Sequence, residues 1–163
     1  MKVLRGIVFI FLFISFNTYA GEKTTPEEVI LKVKEAAKFM EKAGEAGLQE
    51  FNIEKGKWAW ADTYVFVMKC DEVALYGHPN PKLLKKDLSQ LKDKNGNYFF
   101  VQLCDAAKNP KGGWIEYLWP KPGEKESSRK LSFVLQVPGS IYQVGAGIYD
   151  DNVKLENLNK LLK

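Results

Sequence analysis

The chain has 163 residues, with 24 Lys and Arg against 20 Asp and Glu for a formal net charge of +4. That imbalance is too mild and too evenly spread to signal a nucleic-acid binder, and 45% apolar with 27% charged residues excludes wholesale disorder. One His and two Cys argue against most metalloenzymes and hydrolases, while 13% aromatic residues is high and compatible with a binding protein.

Residues 1–20 read as an export signal. Lys2 and Arg5 open it, residues 6–16 are an apolar run with Ser15 as its one polar residue, and Thr18 and Ala20 supply small residues for cleavage after Ala20. The run is too short for a comfortable membrane span; the other reading is an uncleaved N-terminal anchor. No Cys follows it, which excludes lipid attachment there. Cleavage removes Lys2 and Arg5, half of the net charge, and leaves residues 21–163 as a single soluble domain, periplasmic or secreted.

Thr25-Pro26-Glu27-Glu28 opens a helix: Thr25 caps, Pro26 takes the first helical position, and the two Glu complement the helix dipole. Val29, Ile30, Val33, Ala36, Ala37 and Met40 recur at helical spacing until Gly44 and Gly47. Trp58 and Trp60 read as exposed, ready to pack on a partner or under this helix. Residues 64–70 and 73–77 form two strands joined by an Asp71-Glu72 turn, and Pro79 and Pro81 end the second. Leu83, Leu84, Leu88 and Leu91 form a short apolar insert before the turn at Asp93-Lys94-Asn95-Gly96. Residues 98–107 read as a short helix.

Three more strands follow: 114–119, ending at Pro120; 130–137, after a polar loop over 124–130; and 142–149. Asp150-Asp151-Asn152 caps a terminal helix. Hairpin-short connections among the last three strands predict an α+β fold, an antiparallel sheet with helices on one side. Two adjacent carboxylates at such a junction cap a helix more readily than they bind calcium.

Four segments stand out in order: His78-Pro79-Asn80-Pro81-Lys82-Leu83; Asp93-Lys94-Asn95-Gly96; residues 113–123 (GWIEYLWPKPG) with Lys130-Leu131-Ser132-Phe133-Val134; and Val144-Gly145-Ala146-Gly147-Ile148-Tyr149-Asp150-Asp151. In this order and spacing, over residues 25–151, the sequence resembles the single Cache domain family, extracytoplasmic ligand-sensing modules of bacterial chemoreceptors and sensor kinases. The resemblance implies a PAS-like fold: a central antiparallel sheet of about five strands, a long N-terminal helix behind it, and a pocket on the opposite face for small organic acids, amino acids or related metabolites. Receptors of the family carry a membrane helix after the domain. This sequence looks like a free-standing, secreted version, so the expected partner is a membrane receptor, sensor kinase or transporter acting in signal transduction or chemotaxis.

Alternate residues of a strand share a face, so Ile115, Tyr117, Trp119 and, if the strand persists, Lys121 point one way. Apolar walls, an O–H or N–H donor and a cation are what a small carboxylate needs. The alternative is core aromatics beside a solvated turn lysine. Lys130 opens the adjacent strand and stands beside Lys121 or Tyr117 across the hairpin; Tyr64 and Phe66 share a face that lines a pocket floor or packs as ordinary sheet. The resemblance places His78 near the pocket mouth; otherwise it fixes a turn. A lone His makes no metal site, and no cofactor motif appears. Cys70 and Cys104, an even pair in an exported chain, point to a structural disulfide, with two buried thiols as the alternative. Enzyme activity is not expected, since no nucleophile–His–acid set or paired carboxylates stand out. The rival to ligand binding is a structural or protein-interaction module of the cell envelope.

Overall fold

The computed structural model describes residues 23–162; the export signal expected over residues 1–20 lies outside them. Helix α1 (Pro26–Ala43) begins where the sequence predicts. The Thr25 hydroxyl accepts from the Glu28 N–H at 3.2 Å, and the Glu28 carboxylate accepts from the Thr25 N–H at 2.9 Å. This reciprocal cap satisfies two of the free donors that every helix start exposes. The helix ends at Gly44, whose φ of +55° glycine adopts without strain. A 3-10 run, Gly44–Asn52, carries the chain onward.

A two-stranded ribbon of β1 (Ala59–Trp60) and β2 (Thr63–Tyr64) precedes a five-stranded antiparallel sheet. The sheet comprises β3 (Phe66–Lys69), β4 (Ala74–Gly77), β5 (Gly113–Pro120), β6 (Ser127–Gln136) and β7 (Tyr142–Tyr149). Its spatial order is β4-β3-β7-β6-β5. The last strand therefore lies at the centre, between the first hairpin and the second. Helix α2 (Phe99–Ala107) precedes β5, and α3 (Leu155–Lys160) follows β7.

Strand alternation divides the interior in two. Val67, Leu131, Phe133, Val144, Ala146 and Ile148 face α1, where Val29, Val33, Ala36, Ala37 and Met40 cover them. Phe66, Met68, Tyr117 and Val134 face the other way, against Phe99, Phe100, Leu103, Cys104 and Ala107 of α2. The expectation of helices on one side is thus corrected: α2 covers the face opposite α1. Its apolar stripe demanded burial but could not say against which face.

Other boundaries shift as well. The loop expected over 124–130 is shorter, because Ser127 to Arg129 already pair with Leu118 to Pro120. Asp150 does not cap α3, whose N-cap is Lys154; its carboxylate instead accepts from the N–H groups of Asn152 and Val153 and closes a turn. Trp58 is 2% exposed and stacks on Phe51 at 5.0 Å, inside the α1 core, so it offers no partner surface. Trp60 packs half-buried against the same core. The insert holds only one 3-10 turn, Pro81–Leu83. Cys70 and Cys104 form the expected disulfide, with Cα atoms 5.4 Å apart, tying the end of β3 to α2.

Candidate functional site

The α2 face of the sheet leaves a recess where β2, the end of β4 and the end of β5 meet. An open cavity of about 380 Å³ lies there, lined by Tyr64, His78, Asn80, Trp119, Lys121 and Glu124, among others. Below it a void of about 10 Å³ is bounded by Phe66, Leu75, Phe100, Leu103 and Tyr117, with Tyr64, His78 and Trp119 shared between the two. The shared residues form the cavity floor.

Tyr64 is the centre of that floor. Its hydroxyl oxygen accepts from the Trp119 indole N–H at 3.0 Å and lies 3.1 Å from His78 Nε2. The His78 Nδ1 accepts from the Asn80 backbone N–H at 2.8 Å, which leaves its proton on Nε2, aimed at Tyr64. The turn after β4 therefore fixes the tautomer. Burial, reinforced by the charge of Lys130, holds the His78 pKa down at about 3, so the ring stays neutral. Burial likewise lifts the Tyr64 phenol to about 12.

Lys130 lies behind this floor. Register sets it beside Tyr117 on β5 and Tyr149 on β7. It is 0% exposed, and its Nζ has no hydrogen-bond partner. The ammonium rests 4.5 Å from the Tyr64 ring centroid and 5.0 Å from that of Tyr149, within cation–π range. Burial pushes its pKa down to about 7; the Asp62 carboxylate opposes that shift. A fully buried cation without an acceptor is costly, and a protein retains one where something anionic compensates it.

Room for Lys130 comes from Gly147 on β7. A Cβ at Gly147 would lie 2.9 Å from the Lys130 Cε and closer still to the Ser132 hydroxyl. The Gly145-Ala146-Gly147 alternation thus leaves room on the face opposite α1 while Ala146 packs toward α1.

Of the seven residues the sequence singled out, Tyr64, His78, Trp119 and Lys121 line the open cavity. Lys121 stands at its rim, past the end of β5, its Nζ 5.9 Å from the Tyr149 ring centroid. Phe66 and Tyr117 border only the small void. The Tyr117 hydroxyl hydrogen-bonds with the Ser132 hydroxyl at 3.0 Å, and its ring stacks on Phe99 at 4.5 Å. Lys130 sits behind Tyr64 and Tyr149 rather than beside Lys121. Sequence reasoning missed Tyr149, Asp62 and Gly147. The alternating glycines of β7 were the available signal for close approach on one face. Among the described residues, no group of three or more His, Cys, Asp or Glu is placed to hold a metal.

A PAS-like sheet with an aromatic recess over a buried cation defines an α+β ligand-binding module. Residues 51–154 match the family described as Cache domain, and the chain belongs to that family. Over 85 residues it is 35% identical to the methyl-accepting chemotaxis protein McpP of Pseudomonas putida; the match covers 52% of this chain and 16% of that protein. The chain therefore spans about one sixth of that relative. Among solved structures, a periplasmic sensor domain of a chemotaxis protein superposes with a TM-score of 0.59 at 27% identity, covering 75% of this chain and 93% of that one. A Cache chemosensory domain, solved as the structural basis for carboxylic acid recognition, superposes with a TM-score of 0.58 at 29% identity, over 75% and 86%. A methyl-accepting chemotaxis protein from Vibrio parahaemolyticus, 22% identical with a TM-score of 0.62 over 78% and 90%, shares the fold. The homologues are sensor domains of chemotaxis receptors. Among the described residues, no helix is long and apolar enough to cross a membrane.

Proposed function

We propose that this chain is an extracytoplasmic sensor of a small organic acid, whose carboxylate is held by Lys130. The observation that carries this reading is the fully buried Lys130 ammonium with no acceptor of its own. Tyr64 supports it. One phenol oxygen takes the N–H groups of both Trp119 and His78, and the same ring faces the ammonium. A carboxylate entering through the open cavity offers two acceptor oxygens to those donors. As the Tyr64 ring turns aside, its charge meets Lys130. Phe66, Tyr117 and Phe99 wall the apolar side, and Lys121 at the rim attracts the anion from solvent.

Binding then reads out through a partner: a membrane receptor, sensor kinase or transporter that recognises the occupied domain in chemotaxis or related signalling. The likeness to a Cache domain solved in carboxylic acid recognition supports the ligand class, and the likeness to periplasmic sensor domains supports the compartment. Thermal unfolding against a panel of short carboxylates tests the reading. At least one acid is expected to raise the midpoint of the native chain. Lys130→Met is expected to abolish that rise while the variant remains folded by circular dichroism. A panel without any stabilising acid, or a rise that persists in Lys130→Met, sinks the assignment.

A further inference from the structure

We infer that α3 is a detachable guard on the free edge of the sheet. In place, it keeps the chain from pairing through β5; lifted away, it opens that edge to β5 of a second copy. The order β4-β3-β7-β6-β5 leaves two edges, and an edge strand offers its unpaired N–H and C=O groups to any strand that approaches. The β4 edge is closed by backbone. The Lys85 N–H donates to the Leu75 carbonyl at 2.8 Å and the Leu88 N–H to the Val73 carbonyl at 3.0 Å, with Leu84 bridged to Leu75. Among the described residues no strand or bridge lies along the outer side of β5, although β5 has eight residues and β4 only four.

Side chains close β5 instead. Every second residue of an antiparallel edge strand turns its N–H away from its neighbour. On β5 these are Trp114, Glu116, Leu118 and Pro120. The Trp114 N–H donates to the Asn159 Oδ1 at 3.2 Å and the Leu118 N–H to the Asp93 Oδ2 at 3.1 Å, both acceptors lying outside the sheet. Pro120 has no N–H to offer. Glu116 remains between the two caps, outward by the same alternation, with 41% of its side chain exposed.

The caps are not equally firm. Asp93 also accepts from the N–H groups of Asn95 and Asn97, so its own turn holds it in place. Asn159 belongs to α3, six residues with one buried side chain, Leu158. A helix of that length does not persist alone in water. Leu158 holds it to the α1-side core, and Arg129 holds the segment that leads to it. That guanidinium donates to the Asp150 carbonyl at 2.5 Å, the Val153 carbonyl at 2.9 Å and the Glu116 carboxylate at 2.6 Å. An element with so few buried contacts is among the first to open.

With α3 lifted and Asp93 in place, Trp114 and Glu116 are the free neighbours. An antiparallel copy satisfies both: each Trp114 faces the other chain's Glu116 about a two-fold axis at Ile115, and each facing pair exchanges both of its N–H···O bonds. Charge permits identical edges to meet, because Arg129 already neutralises Glu116 on each of them.

Sedimentation velocity of the intact protein, from about 1 to about 100 μM, tests this. Leu158→Ala combined with Asn159→Ala is expected to self-associate at least about tenfold more tightly than wild type. Adding Glu116→Pro removes the outward N–H without touching the pairing with β6, and is expected to return association to the wild-type level. Glu116→Ala, which keeps that N–H, is expected to leave the gain in place. Asn159→Ala alone keeps Leu158 in the core; it is expected to give a smaller gain with the same sensitivity to Glu116→Pro, and it decides the matter where circular dichroism shows the double variant unfolded. Association unchanged from wild type in the folded α3 variants, or a gain that survives Glu116→Pro, overturns the inference.

Discussion

At Tyr64 a single oxygen meets two donors, because Trp119 and His78 both direct an N–H at it. Removing that oxygen leaves two buried donors unpaired, at about 1–3 kcal/mol for an unsatisfied buried group. Tyr64→Phe is therefore expected to lower the unfolding midpoint of the free protein. Under the proposed reading an acid restores partners to both donors, so the ligand-induced rise in midpoint is expected to grow relative to wild type. Thermal scans with and without a saturating acid measure both; a smaller ligand-induced rise would show that the hydroxyl is a ligand contact and not its stand-in. The shared face of Tyr117 and Trp119 and the pairing of Lys130 with Tyr117 were legible because strand alternation and hairpin pairing are local rules. Asp62 and Tyr149 were not, since their place in the site depends on the β1–β2 ribbon lying on β7, a pairing between segments far apart in sequence.

Among the elements, α1 was legible almost to the residue, since its cap, first-turn Pro and apolar stripe agree. β7 was equally clear between its turn residues. The β1–β2 ribbon escaped notice because two-residue strands carry no periodicity. Helix α2 was found but its side of the sheet was not. Its position is fastened by the Cys70–Cys104 disulfide, which closes a separation of 34 residues. In the chain-entropy account such a bridge contributes about 3–4 kcal/mol by restricting the unfolded chain. Cys104→Ala is expected to lower the urea midpoint accordingly, and reductant is expected to lower wild type but not the variant. Because α2 supplies Phe99 and Phe100 against Tyr117 and Trp119, the variant is also expected to bind acid more weakly. An unchanged midpoint in Cys104→Ala would show that packing alone holds α2.

Over the whole molecule, the buried titrating groups set opposite pH responses for stability and for binding. Lys130 falls from 10.5 to about 7 in the folded chain, so between those values the unfolded chain holds more protons and stability rises with pH. His78 falls from 6.5 to about 3, so its contribution is lost as pH drops through that interval. Tyr64 rises from 10.0 to about 12; the folded chain holds the extra proton there, and stability declines above about pH 10. Wild type is thus expected to gain stability from about pH 7 to about pH 9.5. Lys130→Met, freed of a buried charge, is expected to be more stable at neutral pH by about 1–4 kcal/mol and to lose that upward slope. Acid binding runs the other way: only the protonated amine attracts a carboxylate. Affinity is expected to fall toward tenfold per pH unit above the Lys130 pKa, with proton uptake on binding. Urea unfolding and calorimetry from about pH 6 to about pH 9, in buffers of differing ionisation enthalpy, read both slopes on one sample. Flat affinity across that range would mean that the carboxylate does not rest on Lys130, whatever the stability curve shows.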